Sequence, residues 1–150
     1  MSAADNPTTM QELIDILHRE ACSLVVRSAD GQLTTYNKPG VRDLIWLLDN
    51  EPQRLRGAHI ADKVIGKAAA ALLLRGGVVE AYADVLSRKA LLLLDGSGLA
   101  YTCGQQVAAI VIPEGDSRCP LEQIVGDAQT ADEAEARLRQ HFRQMTNDDY

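Results

Sequence analysis

Residues 61–77, ADKVIGKAAAALLLRGG, constrain the fold more than any other stretch of the chain. Ala and Leu are the strongest helix formers, and a following glycine can take the left-handed backbone that closes a helix. The segment therefore reads as a central helix over residues 61–75, capped at Gly76-Gly77. Gly66 inside that helix costs about 1 kcal/mol relative to Ala, so it implies close packing, with Ala69 and Ala70 completing a surface of small residues. Beyond the glycines, residues 78–84 (VVEAYAD) read as a strand, 87–95 as a helix closed by Gly96, and 99–103 as another strand. A strand, a helix and a strand in that order demand a parallel pair joined by a crossover.

The N-terminal part has a different period. Residues 22–28 (CSLVVRS) and 32–37 (QLTTYN) flank Asp30-Gly31, the strongest short hairpin signal, and predict two antiparallel strands. Helices are expected over residues 10–20, 41–50 after the break at Pro39-Gly40, 120–125 and 131–145. Thr130 with Glu133 forms a capping box for the last of these. Residues 107–112 read as a strand or a loop packed on the core. The sum is an α/β fold with a mixed sheet in a single domain over residues 10–145, between tails at 1–9 and 146–150.

Composition fits this reading and removes several functions. A chain of 150 residues with 46% hydrophobic and 24% charged residues can bury one core without disulfides or metals. Its net charge of −6 offers no footprint for non-specific nucleic-acid binding. The longest nearly uncharged run, residues 68–74, is far short of the ~20 residues that span a bilayer. Cys22, Cys103 and Cys119 are too scattered for a disulfide framework, and the first ten residues resemble no export signal, so a reduced, cytoplasmic setting is expected.

Chemistry is expected at helix starts, whose free N–H groups attract anions. Lys63 and Lys67 lie four apart on the face of the expected central helix. Ser87, Arg88 and Lys89 open the next one, and the two starts are expected to share one crevice for a small anionic molecule. Basic residues outside a strict phosphate motif also read as plain solvated charges. Cys119 precedes Pro120 at a third helix start, where the helix dipole and Arg118 favour a thiolate, although a capping structural cysteine fits the same position. His59, three residues before Asp62, is the one histidine placed suggestively for metal chemistry. Zinc needs at least three protein ligands, and the cysteines show no CxxC spacing, so neither a metal nor a cofactor is expected. No nucleophile-elbow motif supports a Ser-His-Asp triad.

Three segments, Ala61-Asp62-Lys63-Val64-Ile65-Gly66-Lys67-Ala68-Ala69-Ala70, Tyr82-Ala83-Asp84-Val85-Leu86-Ser87 and Cys119-Pro120-Leu121-Glu122, together resemble domain-of-unknown-function family 1893 of bacteria and archaea. The resemblance covers about residues 13–139 and implies a three-layer α/β/α sandwich similar to cytidine deaminases, beginning with an antiparallel hairpin. Deaminases carry HxE or CxE at one helix head and PCxxC at the next. Against those motifs this chain shows Ile60-Ala61-Asp62, with Asp62 at the place of the proton-shuttling Glu, and Asp84-Val85-Leu86-Ser87-Arg88, without a cysteine. The resemblance thus implies the fold without zinc-dependent deamination.

The leading expectation is a metal-free, deaminase-like domain that binds a small anionic, nucleotide-like ligand. Asp62, Lys63, Lys67, Ser87 and Arg88 would form the crevice, with Cys119 and Glu122 nearby. A thiol- or lysine-dependent enzyme using Cys119 or Lys63, with Asp62 as acid or base, is the first alternative. A structural or partner-binding domain is the second, and a homo-oligomer is left open.

Overall fold

Asp30 staples the first hairpin. Its carboxylate accepts hydrogen bonds from the Ser28 hydroxyl and, at 3.1 Å, from the Gln32 N–H. Gly31 beside it takes the positive φ of 92° that the turn requires. In the computed structural model, which describes residues 10–38, 41–109 and 120–148, this turn joins β1 (Leu24–Arg27) to β2 (Leu33–Tyr36) in antiparallel register, Val25 opposite Thr35. Strands β3 (His59–Ile65), β4 (Glu80–Ser87) and β5 (Ala100–Val107) complete one sheet in the order β2-β1-β3-β4-β5. Strand β3 pairs antiparallel with β1 and parallel with β4, which is parallel to β5. The sheet is mixed, as the sequence implies.

The expected central helix is divided. Residues 61–65 belong to β3, and the helix α3 runs only over Lys67–Gly76, with Gly66 as its extended N-cap. Val64 and Ile65 are β-branched and suit a strand. As an inner strand with Ile60, Ala61 and Asp62 all buried, β3 shows no alternation that would have revealed it. Gly66 therefore ends a strand and starts a helix, where the sequence reading put it in mid-helix. Gly77 closes α3 as foreseen, in the left-handed region at φ 82°, its N–H reaching the Leu73 and Leu74 carbonyls.

Helix α1 (Met10–Arg19) covers one face of the sheet. Leu13 and Leu17 pack there with Cys22, Val25 and Ala61. The larger core lies on the other face and holds α3 together with α2 (Arg42–Asn50), α4 (Arg88–Leu94), α5 (Pro120–Val125) and α6 (Ala131–Asp148). Helix α6 continues past Met145, where the sequence reading ended it. Its capping box forms, the Thr130 hydroxyl accepting from the Glu133 N–H at 3.1 Å. No helix among the described residues is long and apolar enough to cross a membrane. The expected tail at 1–9, the break at Pro39-Gly40 and Cys119 lie outside the described residues.

Helix α3 is buried almost all round because α2, α4, α5 and α6 all pack against it. Gly76 at its end is in close approach: a methyl added there would stand 2.9 Å from both Cβ and Cδ1 of the fully buried Leu55. Gly76→Ala is therefore expected to destabilise the fold by about 1–3 kcal/mol despite the better helix propensity of Ala. Chemical denaturation of Gly76→Ala alone and with Leu55→Ala checks this, since the double variant removes the contact with Cδ1 and leaves only that with Cβ, so the two effects should fall short of adding.

Candidate functional site

The C-terminal halves of the parallel strands and the starts of the helices after them form the edge where α/β sheets bind ligands. Strand β3 brings Asp62 to this edge, between Leu24 of β1 and Ala83 of β4. The side chain is buried, with Oδ1 accepting from the Val64 N–H at 3.2 Å. Burial pushes this carboxyl from 3.8 up to about 7, an effect offset in part by the Val64 and Lys63 N–H groups and reinforced by the charges of Asp84 and Asp43. Asp62 opens on a cavity of about 290 Å³ whose walls include Val41, Val64, Ala68, Ala69 and Leu121. Exposed Lys63 also lines it. Such a volume is at the lower end of the ~300–1,000 Å³ usual for small-molecule sites.

Glu122 lines the same cavity from α5. Its Oε1 lies 3.5 Å from the Lys67 N–H, so a carboxyl group from another helix caps α3, which Gly66 leaves without a side-chain cap. Lys67 reciprocates: its ammonium group donates to the Gly126 carbonyl, just beyond the end of α5, at 2.9 Å. This single residue thus joins two helices at both its backbone and its side chain.

The expected residues do not all converge. Lys63 and Lys67 are not on one helix face, because Lys63 belongs to β3 and Lys67 starts α3. They line different cavities, Lys67 contributing to a second one of about 480 Å³ with Lys89 and Glu122. Ser87 is fully buried and caps α4, its Oγ accepting from the Lys89 N–H at 3.1 Å. Arg88 is exposed and lines neither of these cavities, so of the two basic residues expected at this helix start only Lys89 does. Asp62 lies in a strand, so its alignment with a proton-shuttling Glu at a helix head does not hold by position. Asp43, buried in the first turn of α2 and accepting from the Lys38 N–H at 2.9 Å, was passed over. An acid three residues after Gly40, in the first turn of the expected helix, was the available signal.

Two of the three histidines pair with acids instead of lining the cavities, and His141 stands edge-on to Phe142. His59 Nδ1 lies 2.7 Å from Glu80 Oε1, and His18 Nε2 lies 2.7 Å from Asp84 Oδ1. The Tyr82 hydroxyl donates to that same Asp84 oxygen at 2.8 Å. Burial and this bond to Asp84 push the Tyr82 hydroxyl up to about 12. Among the described residues, no three His, Cys, Asp or Glu side chains converge as metal ligands.

Comparison with known proteins gives a family. The model of the family described as Domain of unknown function (DUF1893) matches residues 12–142. A crystal structure of a DUF1893 family protein from Thermotoga maritima superposes with a TM-score of 0.79 at 22% identity, covering 94% of this chain and 99% of that one. At that identity the likeness is one of fold. No curated protein matches the chain.

Proposed function

The chain belongs to the DUF1893 family, and on that premise we propose that it is a metal-free small-molecule-binding domain whose ligand sits in the cavity lined by Asp62 and Glu122. The observation that carries this reading is Asp62, a desolvated carboxyl group that opens on a largely apolar cavity. A carboxyl that titrates near 7 both donates and accepts hydrogen bonds at neutral pH, so it suits a ligand edge offering a donor beside an acceptor. The amide or amidine edge of a nucleobase-like ring is such an edge. Val64, Ala68, Ala69 and Leu121 would hold its apolar faces.

The metal-free part of the proposal rests on the donor set. Ile60 cannot coordinate a metal, and residues 84–89 contain neither thiol nor imidazole. Proton transfer is a second reading, favoured by the same observation, because an acid near 7 is matched to general acid–base catalysis at neutral pH.

Thermal unfolding with added nucleobases, nucleosides and nucleotides tests the proposal. A ligand at a hundred times its Kd is expected to add about 2.7 kcal/mol of stability. Asp62→Asn and Val64→Phe, the latter narrowing the cavity from an exposed position, should each abolish the shift. No shift with any of these compounds, or an undiminished shift in both variants, would refute it.

A further inference from the structure

Lys67 is 3% exposed, yet the contact its ammonium group makes is with the Gly126 carbonyl. Of its three donors, two have no hydrogen-bond acceptor among the described residues, although the Asp127 carboxylate lies near enough to feel its charge. The lysine that pairs with Glu122 is Lys89, whose Nζ lies 3.7 Å from Oε2, too far for a hydrogen bond. Glu122 Oε2 is itself buried and has no hydrogen-bond partner among the described residues, while its side chain is only 3% exposed. Lys67, Lys89 and Glu122 all line the cavity of about 480 Å³ between α3, α4 and α5, with Asp127 and Gln129. A buried cation short of an acceptor therefore shares one cavity with a buried carboxyl oxygen short of a donor. Leaving either unmet is costly at a buried site, the more so for charged groups.

We propose that this second cavity binds a zwitterion of the α-amino acid class, its carboxylate held by Lys67 and Lys89 and its ammonium group by Glu122. One small molecule then meets both unfilled groups. A simple anion would meet Lys67 but would also face the Glu122 oxygen and Asp127, and a simple amine would face two lysines. Two cationic and two acidic side chains in the lining match a ligand with no net charge. Leu92, 73% exposed in the lining, offers an apolar contact for the ligand's own side chain. The site is distinct from the Asp62 cavity apart from the shared Glu122 wall.

Isothermal titration of the full chain with each common L-α-amino acid, and with acetate, ethylamine and inorganic phosphate, tests the proposal. At least one amino acid should bind, with no measurable heat from the other three compounds at the same concentration. Lys67→Met and Glu122→Gln should each weaken binding about tenfold or more, the loss of one charge-assisted hydrogen bond. Lys89→Met should do likewise and removes a half-exposed side chain, so its result stands even if Lys67→Met fails to fold. Asp62→Asn should leave amino-acid binding intact, which separates this site from the first cavity. No binding by any amino acid, binding by phosphate alone, or unchanged affinity in Lys89→Met would overturn it.

Discussion

Asp62→Asn is expected to make the protein more stable above pH 7, by at most about 4 kcal/mol, and to leave stability unchanged below pH 4. The carboxyl titrates at about 7 in the folded chain against an ordinary 3.8, because burial disfavours its ionised form. Below 3.8 the group is protonated in both states and contributes no pH dependence. Between 3.8 and 7 the unfolded chain releases a proton that the folded chain retains, so stability falls as pH rises, and above 7 the full loss is present. About three pH units at 1.36 kcal/mol each give the upper limit. Asn cannot ionise, and its carbonyl can still accept from the Val64 N–H, so the variant escapes the loss and keeps the bond. Urea denaturation of both proteins at pH 4, 6 and 8 reads the difference directly. A pH-independent difference would show instead that the carboxylate is solvated in the folded chain, and a destabilisation that grows with pH would show that it is paired. A residue that lowers stability while lining a cavity is what a stability–function trade-off looks like, which is why the proposed function rests on it.

Most of the fold was legible because its signals are local. Asp30-Gly31 marks the hairpin, Ser87 caps α4, Thr130 and Glu133 open α6, and Gly77 closes α3, each through bonds within a few residues. Residues 61–65 were misread because Ala61 and Asp62 are compatible with a helix, and only pairing with β1 and β4 makes them a strand. That misreading spread to the site. In a helix Lys63 and Lys67 share a face, whereas in a strand Asp62 and Lys63 point to opposite sides of the sheet. The sequence named Asp62, Lys67 and Glu122 as site residues, but the pairing of Lys67 with Glu122 and Gly126 spans 55 and 59 residues, and no local spacing carries it.

Leu72→Ala should lower stability by about 2–5 kcal/mol, whereas Leu92→Ala should change it by no more than about 0.5 kcal/mol. Both leucines sit in helical runs of apolar residues, Leu72-Leu73-Leu74 and Leu91-Leu92-Leu93-Leu94, that have no polar face to reveal which side is inside. Leu72 is fully buried in the core that α3 shares with its neighbours. Removing its side chain beyond Cβ there forfeits both transfer energy and packing, since the surrounding helices can close the void only in part. Leu92 is 73% exposed although Leu93 and Leu94 beside it are buried. For a chain of this size the Leu72 variant should melt roughly 5–15 °C lower, with the Leu92 variant close to the parent. A scan at several protein concentrations adds a second reading. If Leu92→Ala lowers the midpoint only as concentration rises, a second copy of the chain covers Leu92, since mass action stabilises an assembled form in that way. If the midpoint is the same at every concentration, Leu92 faces water and remains available to a ligand in the cavity it lines.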